Sequence, residues 1–177
     1  MSNIEAGGYS KQYADFFTVT CLAWKPILAD DIFNDIITGS LSFLSKASRA
    51  NIYAFVIMSN HFHLIWQMVG DSKREDVQRD FLKYTSQQIL KILRNEKSVV
   101  QEELLVVSKD RKFQIWERNP LSIPLCSGQV IDQKLEYIHY NPVRAGLCKY
   151  PWDYIYSSAG FYYNSDMRWE FLKHCDG

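Results

Sequence analysis

Long apolar segments are absent from this sequence. A membrane-spanning helix needs roughly 20 consecutive apolar residues, and no stretch of the chain comes close to that length. The first residues, MSNIEAGGYSKQYADFF, also lack the basic segment followed by an apolar segment that marks a signal peptide. We therefore expect a cytoplasmic protein that has no membrane partner.

An excess of one charge is missing as well, because 20 basic residues are balanced by 20 acidic ones. This balance argues against a strongly basic nucleic-acid-binding protein, although a local patch can still bind phosphates. Groups of charges are also common on ordinary solvated surfaces. Two groups could form a basic patch: Lys73, Arg74 and Arg79, and Lys109, Arg111 and Lys112.

Cysteines are few and widely spaced, at Cys21, Cys126, Cys148 and Cys175. No two of them form a CxxC pair, so neither a zinc knuckle nor a disulfide framework is indicated. The chain also contains no internal repeat, low-complexity tract or Pro/Gly/Ser-rich linker. With 47% hydrophobic and 23% charged residues, we expect a single globular domain spanning residues 1–177.

The hydrophobic pattern predicts both strands and helices. We expect strands at 14–23, 51–58 and 61–68, and helices at 30–47, 75–94 and 130–141; the otherwise irregular stretch 95–128 could contain a short strand at 112–116. Pro142 should end or kink the third helix, because proline lacks an amide hydrogen. This order is typical of an α+β fold with a ferredoxin-like split βαβ sheet, followed by a C-terminal helix. The other helices should cover one face of the sheet and leave the opposite face free to hold a site.

Two histidines, His61 and His63, lie two residues apart in the third predicted strand. Side chains at this spacing point to the same face of a sheet. Phe62, Leu64 and Trp66 should then point the other way, into the core. Two imidazoles on one face form half of a site for a divalent metal, although polar residues on a solvated strand would show the same pattern.

Tyr137 and Asn141 are four residues apart in the third predicted helix, so they should share one helical face. An amide oxygen can bind a metal, and a hydroxyl can attack a phosphate. Taken alone the pair is weak evidence, because tyrosine is common on half-buried helices and asparagine is common before proline.

Several segments together resemble a known family. The segment YAFVIMSNHFHLIWQM looks like the strand–turn–strand of the HUH-type single-tyrosine transposases, and KLEYIHYNPVRAGL with PWDYIYSSAGFYY is similar to their C-terminal half. The intervening RDFLKYTSQQILKIL and FQIWERNP stand in the expected order. The resemblance covers roughly residues 14–163 and is greatest to the branch called REP-associated tyrosine transposases.

This resemblance implies a ferredoxin-like domain that cuts and rejoins single-stranded DNA beside imperfect hairpins, as an endonuclease and strand transferase in DNA transposition and recombination. His61, His63 and Asn141 would hold Mg²⁺ or Mn²⁺, and Tyr137 would form a 5′-phosphotyrosine and release a 3′-OH. A phenol with its ordinary pKa of about 10 is a poor nucleophile, so a metal that polarises the phosphate would be needed. The protein would act as a monomer or a homodimer.

Some alternatives stay open at this point. Tyr140 lies close to Tyr137 in sequence and could be the nucleophile instead. The chain could also be a catalytically silent module that binds DNA or RNA hairpins, or an unrelated metal-dependent hydrolase, although no Asp or Glu beside the histidines offers a base. DNA phosphates could be bound by Lys109, Arg111, Lys112, Arg118 and Arg144, and unpaired bases could stack on Trp116, Trp152 and Tyr154.

Overall fold

A computed structural model describes residues 13–95, 104 and 113–175. The elements in chain order are β1 (Ala14–Thr20), α1 (Asp31–Lys46), β2 (Ala50–Ile57), β3 (His61–Met68), α2 (Arg74–Asn95), β4 (Leu121–Leu125), α3 (Gly128–Arg144) and α4 (Ala159–Asn164). Asp30 caps α1 by accepting a hydrogen bond from the Ile32 amide. Ser127 caps α3 in the same way through the Val130 amide, as expected for these residue types at helix starts.

The four strands form one sheet in the order β2–β3–β1–β4. Every neighbouring pair is antiparallel. This arrangement is the ferredoxin-like α+β sheet, so the predicted fold class is confirmed. Within the part of the chain that the structure describes, no helix has both the length and the apolar composition that a membrane crossing requires.

Helices α1 and α2 pack on one face of the sheet. Phe62, Leu64 and Trp66 of β3 are fully buried on that face, together with apolar residues of both helices such as Ile37 and Phe81. The side chains of β3 therefore alternate between the two faces of the sheet as predicted, with these three in the main core.

The opposite face is not open, because α3 lies across it. Phe16 and Ile65 of the sheet form a second, smaller apolar cluster with Ile138 of α3. The expectation of a free face is therefore corrected: helix α3 lies directly on the sheet surface that carries the two histidines. The reason is apolar burial, since α3 presents its own apolar residues to that face.

The fourth strand differs from the sequence prediction. Lys112 lies outside the described residues, and Phe113–Trp116 form no strand; Trp116 makes only an isolated bridge to Cys21. The strand is Leu121–Leu125, which pairs with β1 alone and therefore lies at the edge of the sheet. An edge strand tolerates Pro124, because one side of the strand needs no amide donors.

Pro142 neither ends nor breaks α3, which continues to Arg144. The proline stands in the last turn of the helix, so only two helical residues follow the hydrogen bond that its missing amide removes. After α3, the aromatic C-terminal segment runs along the outer edge of β2. Hydrogen bonds join the Ile57 amide to the Tyr156 carbonyl and the Ser158 amide to the Phe55 carbonyl, so this segment packs against the sheet.

Candidate metal and nucleophile site

The two histidines of β3 lie side by side on the face covered by α3. Their ring centroids are 4.9 Å apart, with the planes inclined at 71°. Strand pairing places Thr20 opposite His61 and Thr18 opposite His63 on β1. Both imidazoles thus project from the centre of a rigid sheet.

Each imidazole uses its Nδ1 atom within the protein. His61 Nδ1 donates to Asn60 Oδ1 at 2.7 Å, and His63 Nδ1 forms a hydrogen bond with Thr18 Oγ1 at 2.7 Å. His63 Nε2 is buried and has no hydrogen-bond partner. Occupied Nδ1 atoms orient imidazoles so that Nε2 can bind a metal.

Burial keeps both histidines neutral near pH 7. It lowers the pKa of His61, and it lowers the pKa of His63 to about 3, with further contributions from His61 and Lys134. A neutral imidazole is the form that binds a metal. His63 is only 4% exposed, so the expectation that both side chains stand on an open surface is wrong for His63: Phe16 stacks on its ring, and Tyr137 covers another side.

Tyr137 of α3 meets this pair directly. Its ring centroid lies 5.1 Å from that of His63, in an edge-to-face contact, and 6.0 Å from that of Phe16. The side chain is nevertheless 38% exposed. A phenol in this position can touch both the histidine pair and a bound molecule arriving from solvent.

Two cations flank the Tyr137 ring. Lys134 Nζ lies 5.6 Å from its centroid and 4.5 Å from that of Phe16, while Arg144 Cζ lies 5.8 Å from the Tyr137 centroid. The sequence prediction included Arg144 and missed Lys134. The helical spacing of three residues between Lys134 and Tyr137 was the available signal.

Tyr140 and Asn141 have different surroundings. Tyr140 interacts with Tyr163, whose pKa is raised by burial and then by Tyr140 and Glu136. Asn141 follows Tyr137 by one helical turn, and its backbone carbonyl accepts from the Ala145 amide. Among the described residues no third His, Cys, Asp or Glu joins a metal-binding group, so a further metal ligand from this part of the chain would be of another type, such as the Asn141 amide.

The other predicted DNA contacts are only partly placed by the structure. Lys109, Arg111 and Lys112 lie outside the described residues. Arg118 is exposed in the loop that precedes β4. Lys73 is exposed too, but Arg74 forms an ion pair with Asp15 at 3.2 Å.

Of the predicted stacking aromatics, Trp116 is 5% exposed and donates to Thr85 Oγ1. It is therefore a core residue, which corrects its expected role. Tyr154 donates to the Ile57 carbonyl. Trp152 lies parallel to Tyr150, with ring centroids 5.0 Å apart.

Comparisons with known proteins find similar folds among solved structures. Neither a protein-family model nor a curated protein sequence matches the chain. Among solved structures, a REP-associated tyrosine transposase bound to a REP hairpin superposes with a TM-score of 0.64 at 18% identity, covering 98% of this chain and 89% of the other. The chain has the fold of a tyrosine transposase. A candidate transposase from Deinococcus radiodurans is also similar, with a TM-score of 0.48 at 12% identity over 78% of this chain and 95% of the other.

On this transposase fold, the donors at the histidine pair suit a divalent metal. The Nε2 atom of His63 is buried and has no hydrogen-bond partner, and a metal ion bound to it would provide one. His61 stands beside it with its own Nδ1 engaged. Imidazole nitrogens with one amide oxygen leave positions open for phosphate oxygens. The residues present therefore fit Mg²⁺ or Mn²⁺.

Proposed function

We propose that this chain is an HUH-type transposase of the REP-associated branch, which cuts and rejoins single-stranded DNA beside a hairpin. The observation that carries the proposal is the contact between Tyr137 and His63, together with histidine Nδ1 atoms that are already engaged. The likeness in fold to a transposase bound to a REP hairpin supports the hairpin as the substrate.

Tyr137 acts as the nucleophile in this proposal. Its Oη atom attacks the phosphorus of one phosphodiester, the bond from phosphorus to the 3′ oxygen breaks, and a 5′-phosphotyrosine forms. The phenol loses its proton to water, which reaches the partly exposed ring, and the leaving 3′ oxygen takes up a proton. The phosphodiester is exchanged for another ester, so a second 3′-OH can reverse the step and join a new strand.

Lys134 and Arg144 supply positive charge on either side of the nucleophile. Both cations lie within 6 Å of the Tyr137 ring, where they can pair with the phosphate that the phenol attacks. Charges fixed in advance near the reacting atoms need no reorganisation during the reaction.

His61, His63 and Asn141 would hold the metal, which would supply charge stabilisation to the phosphate under attack. Neighbouring side chains hold the two histidine rings in a fixed orientation. Thr18 and Asn60 hold the two rings in orientation through their Nδ1 atoms, and the sheet beneath is rigid.

A covalent adduct tests the proposal. The protein is incubated with hairpin DNA that carries labelled single-stranded flanks, in Mg²⁺ or Mn²⁺, and is then separated on a denaturing gel. We expect a labelled protein band that disappears when EDTA is added. If no adduct forms while the hairpin still binds, the chain is a hairpin-binding module; cleavage with no covalent intermediate would indicate a hydrolase.

A further inference from the structure

An exposed indole stands beside the histidine pair. Trp24 is 62% exposed, and its ring centroid lies 5.9 Å from that of His61. Covering the exposed apolar surface of this side chain with a ligand would be favourable, because it removes that surface from water. A face of the indole is therefore available to a flat ligand immediately next to the site.

The backbone holds this indole in an unfavourable conformation. Ala23 and Trp24 have φ values of 52° and 57°, in the left-handed region that residues with a side chain rarely adopt. Such conformations persist only where the surrounding structure enforces them, and they are concentrated at functional sites.

The enforcing contacts come from the chain just before β4. The Ala23 amide donates to Glu117 Oε1 at 2.6 Å. The Leu22 amide donates to the Ile115 carbonyl at 2.7 Å, and the Glu117 amide donates to the Thr20 carbonyl at 2.8 Å. Residues 20–23 and 115–117 are thereby tied together, which fixes the position of Trp24.

A cleft of about 350 Å³ opens at this point, lined by Thr18, Thr20, Trp24 and residues 117–121. Thr18 and Thr20 are the partners of His63 and His61 across the sheet, so the cleft starts where the histidines stand. Its walls offer an aromatic ring, hydroxyl groups, the Asn119 amide and the Arg118 guanidinium.

We propose that this cleft binds one unpaired nucleobase of the DNA strand, stacked on Trp24, next to the phosphate that is cut. Every base has a flat face that can stack on an aromatic ring, whereas bases within a duplex have both faces covered by their neighbours. Exposed Arg118 adds a positive charge to the wall of the cleft, and Asn119 and the threonine hydroxyls can meet the edge of the base. The proposal rests on the function proposed above, since it places the base beside the reacting phosphate.

The test measures affinity in the Tyr137→Phe background, so that the DNA stays uncut. The probe is hairpin DNA with single-stranded flanks, in which each flank position in turn is made abasic. Trp24→Ala should weaken binding by roughly 5- to 100-fold, the range expected for losing one stacked base. Trp24→Phe should retain most of the affinity, and Phe43→Ala, at a ring of α1 that is 63% exposed, is the matched control and should bind normally.

One abasic position should produce the same loss as Trp24→Ala, and the two changes together should weaken binding no further, because both remove the same contact. Additive losses at every flank position, or unchanged binding by Trp24→Ala, would overturn the proposed cleft. Adduct formation by the protein with Tyr137 intact separates the two proposals. An adduct with additive losses refutes the cleft alone; non-additive losses without an adduct support the cleft and refute the strand-cutting function.

Discussion

The Tyr137 ring stands edge to face against the His63 ring, with the centroids 5.1 Å apart. This contact joins a helix to the middle of a sheet and places a partly exposed hydroxyl-bearing ring beside a buried imidazole. The geometry depends on α3 crossing the sheet, so the relationship is a property of the folded chain and not of either segment alone.

Tyr137→Phe is expected to abolish the covalent adduct and to leave hairpin binding intact. The change removes one oxygen and retains the ring that packs on Phe16 and His63. The measurement is the denaturing-gel assay beside a binding titration. Tyr140→Phe is the matched control, since Tyr140 interacts with Tyr163, and it should still form the adduct. Loss of the adduct in the control but not in Tyr137→Phe would move the nucleophile to Tyr140.

His61→Ala is expected to abolish Mn²⁺ binding, measured by calorimetry, and to abolish nicking. His61 is only half-buried, so the melting temperature of this variant should differ little from that of the unmodified protein. His63→Ala should also lose both activities, but it should lower stability by about 1–3 kcal/mol, because it removes a ring packed between Phe16 and Tyr137. Nicking in Mg²⁺ by either variant would contradict the metal assignment, and so would unchanged Mn²⁺ affinity.

Lys134→Met should slow adduct formation on the order of 10²-fold, the usual effect of removing one group that stabilises developing charge. Methionine keeps an apolar stem against Phe16 and removes the ammonium group. Single-turnover rates provide the measurement, and Lys134→Arg should restore most of the rate. Lys149→Met is the matched control, since Lys149 lies over Tyr150. A rate equal to that of the unmodified protein would show that Lys134 serves only packing or solubility.

Phe62→Ala should lower the free energy of unfolding by about 3–5 kcal/mol, the usual cost of truncating a buried phenylalanine. Phe62 is fully buried and contacts the rings of Phe81 and Trp116. Chemical denaturation gives the measurement. Phe43→Ala, at a ring that is 63% exposed, is the control and should change stability by much less. Equal effects of the two changes would be inconsistent with the strand register described here.

The sequence was enough to predict which side chains of β3 face the core, because the alternation of side chains along a strand depends only on neighbouring residues. Phe62 and His63 must face opposite ways whatever lies around them. The same locality explains the success with α1 and α2, whose apolar residues repeat at helical spacing. The short edge strand β4 was missed because Pro124 is normally evidence against a strand, and only its position at the sheet edge makes it acceptable.

The depth of the site could not be read from local pattern. His63 is buried because α3 packs over it, and that packing depends on contacts between residues such as Ile65 and Ile138 that are far apart in sequence. Trp24 gave no signal, because neither its left-handed backbone nor its proximity to His61 follows from neighbouring residues. The position of Tyr137 relative to Tyr140 was likewise ambiguous until the tertiary contacts of each ring were known.

The outer border of β2 is already occupied by the chain itself, and the outer border of β4 is interrupted by Pro124. Along β2, the Ile57 and Ser158 amides and the Lys173 amide already make hydrogen bonds between the strand and the C-terminal segment, and on β4 the proline removes an amide that a neighbouring chain would need. Exposed strand borders are where proteins join by accident into extended sheets and aggregate. A strand from a second copy would find the backbone groups of Ile52, Phe55 and Ile57 already occupied, so β2 is a poor place for a fibre to begin.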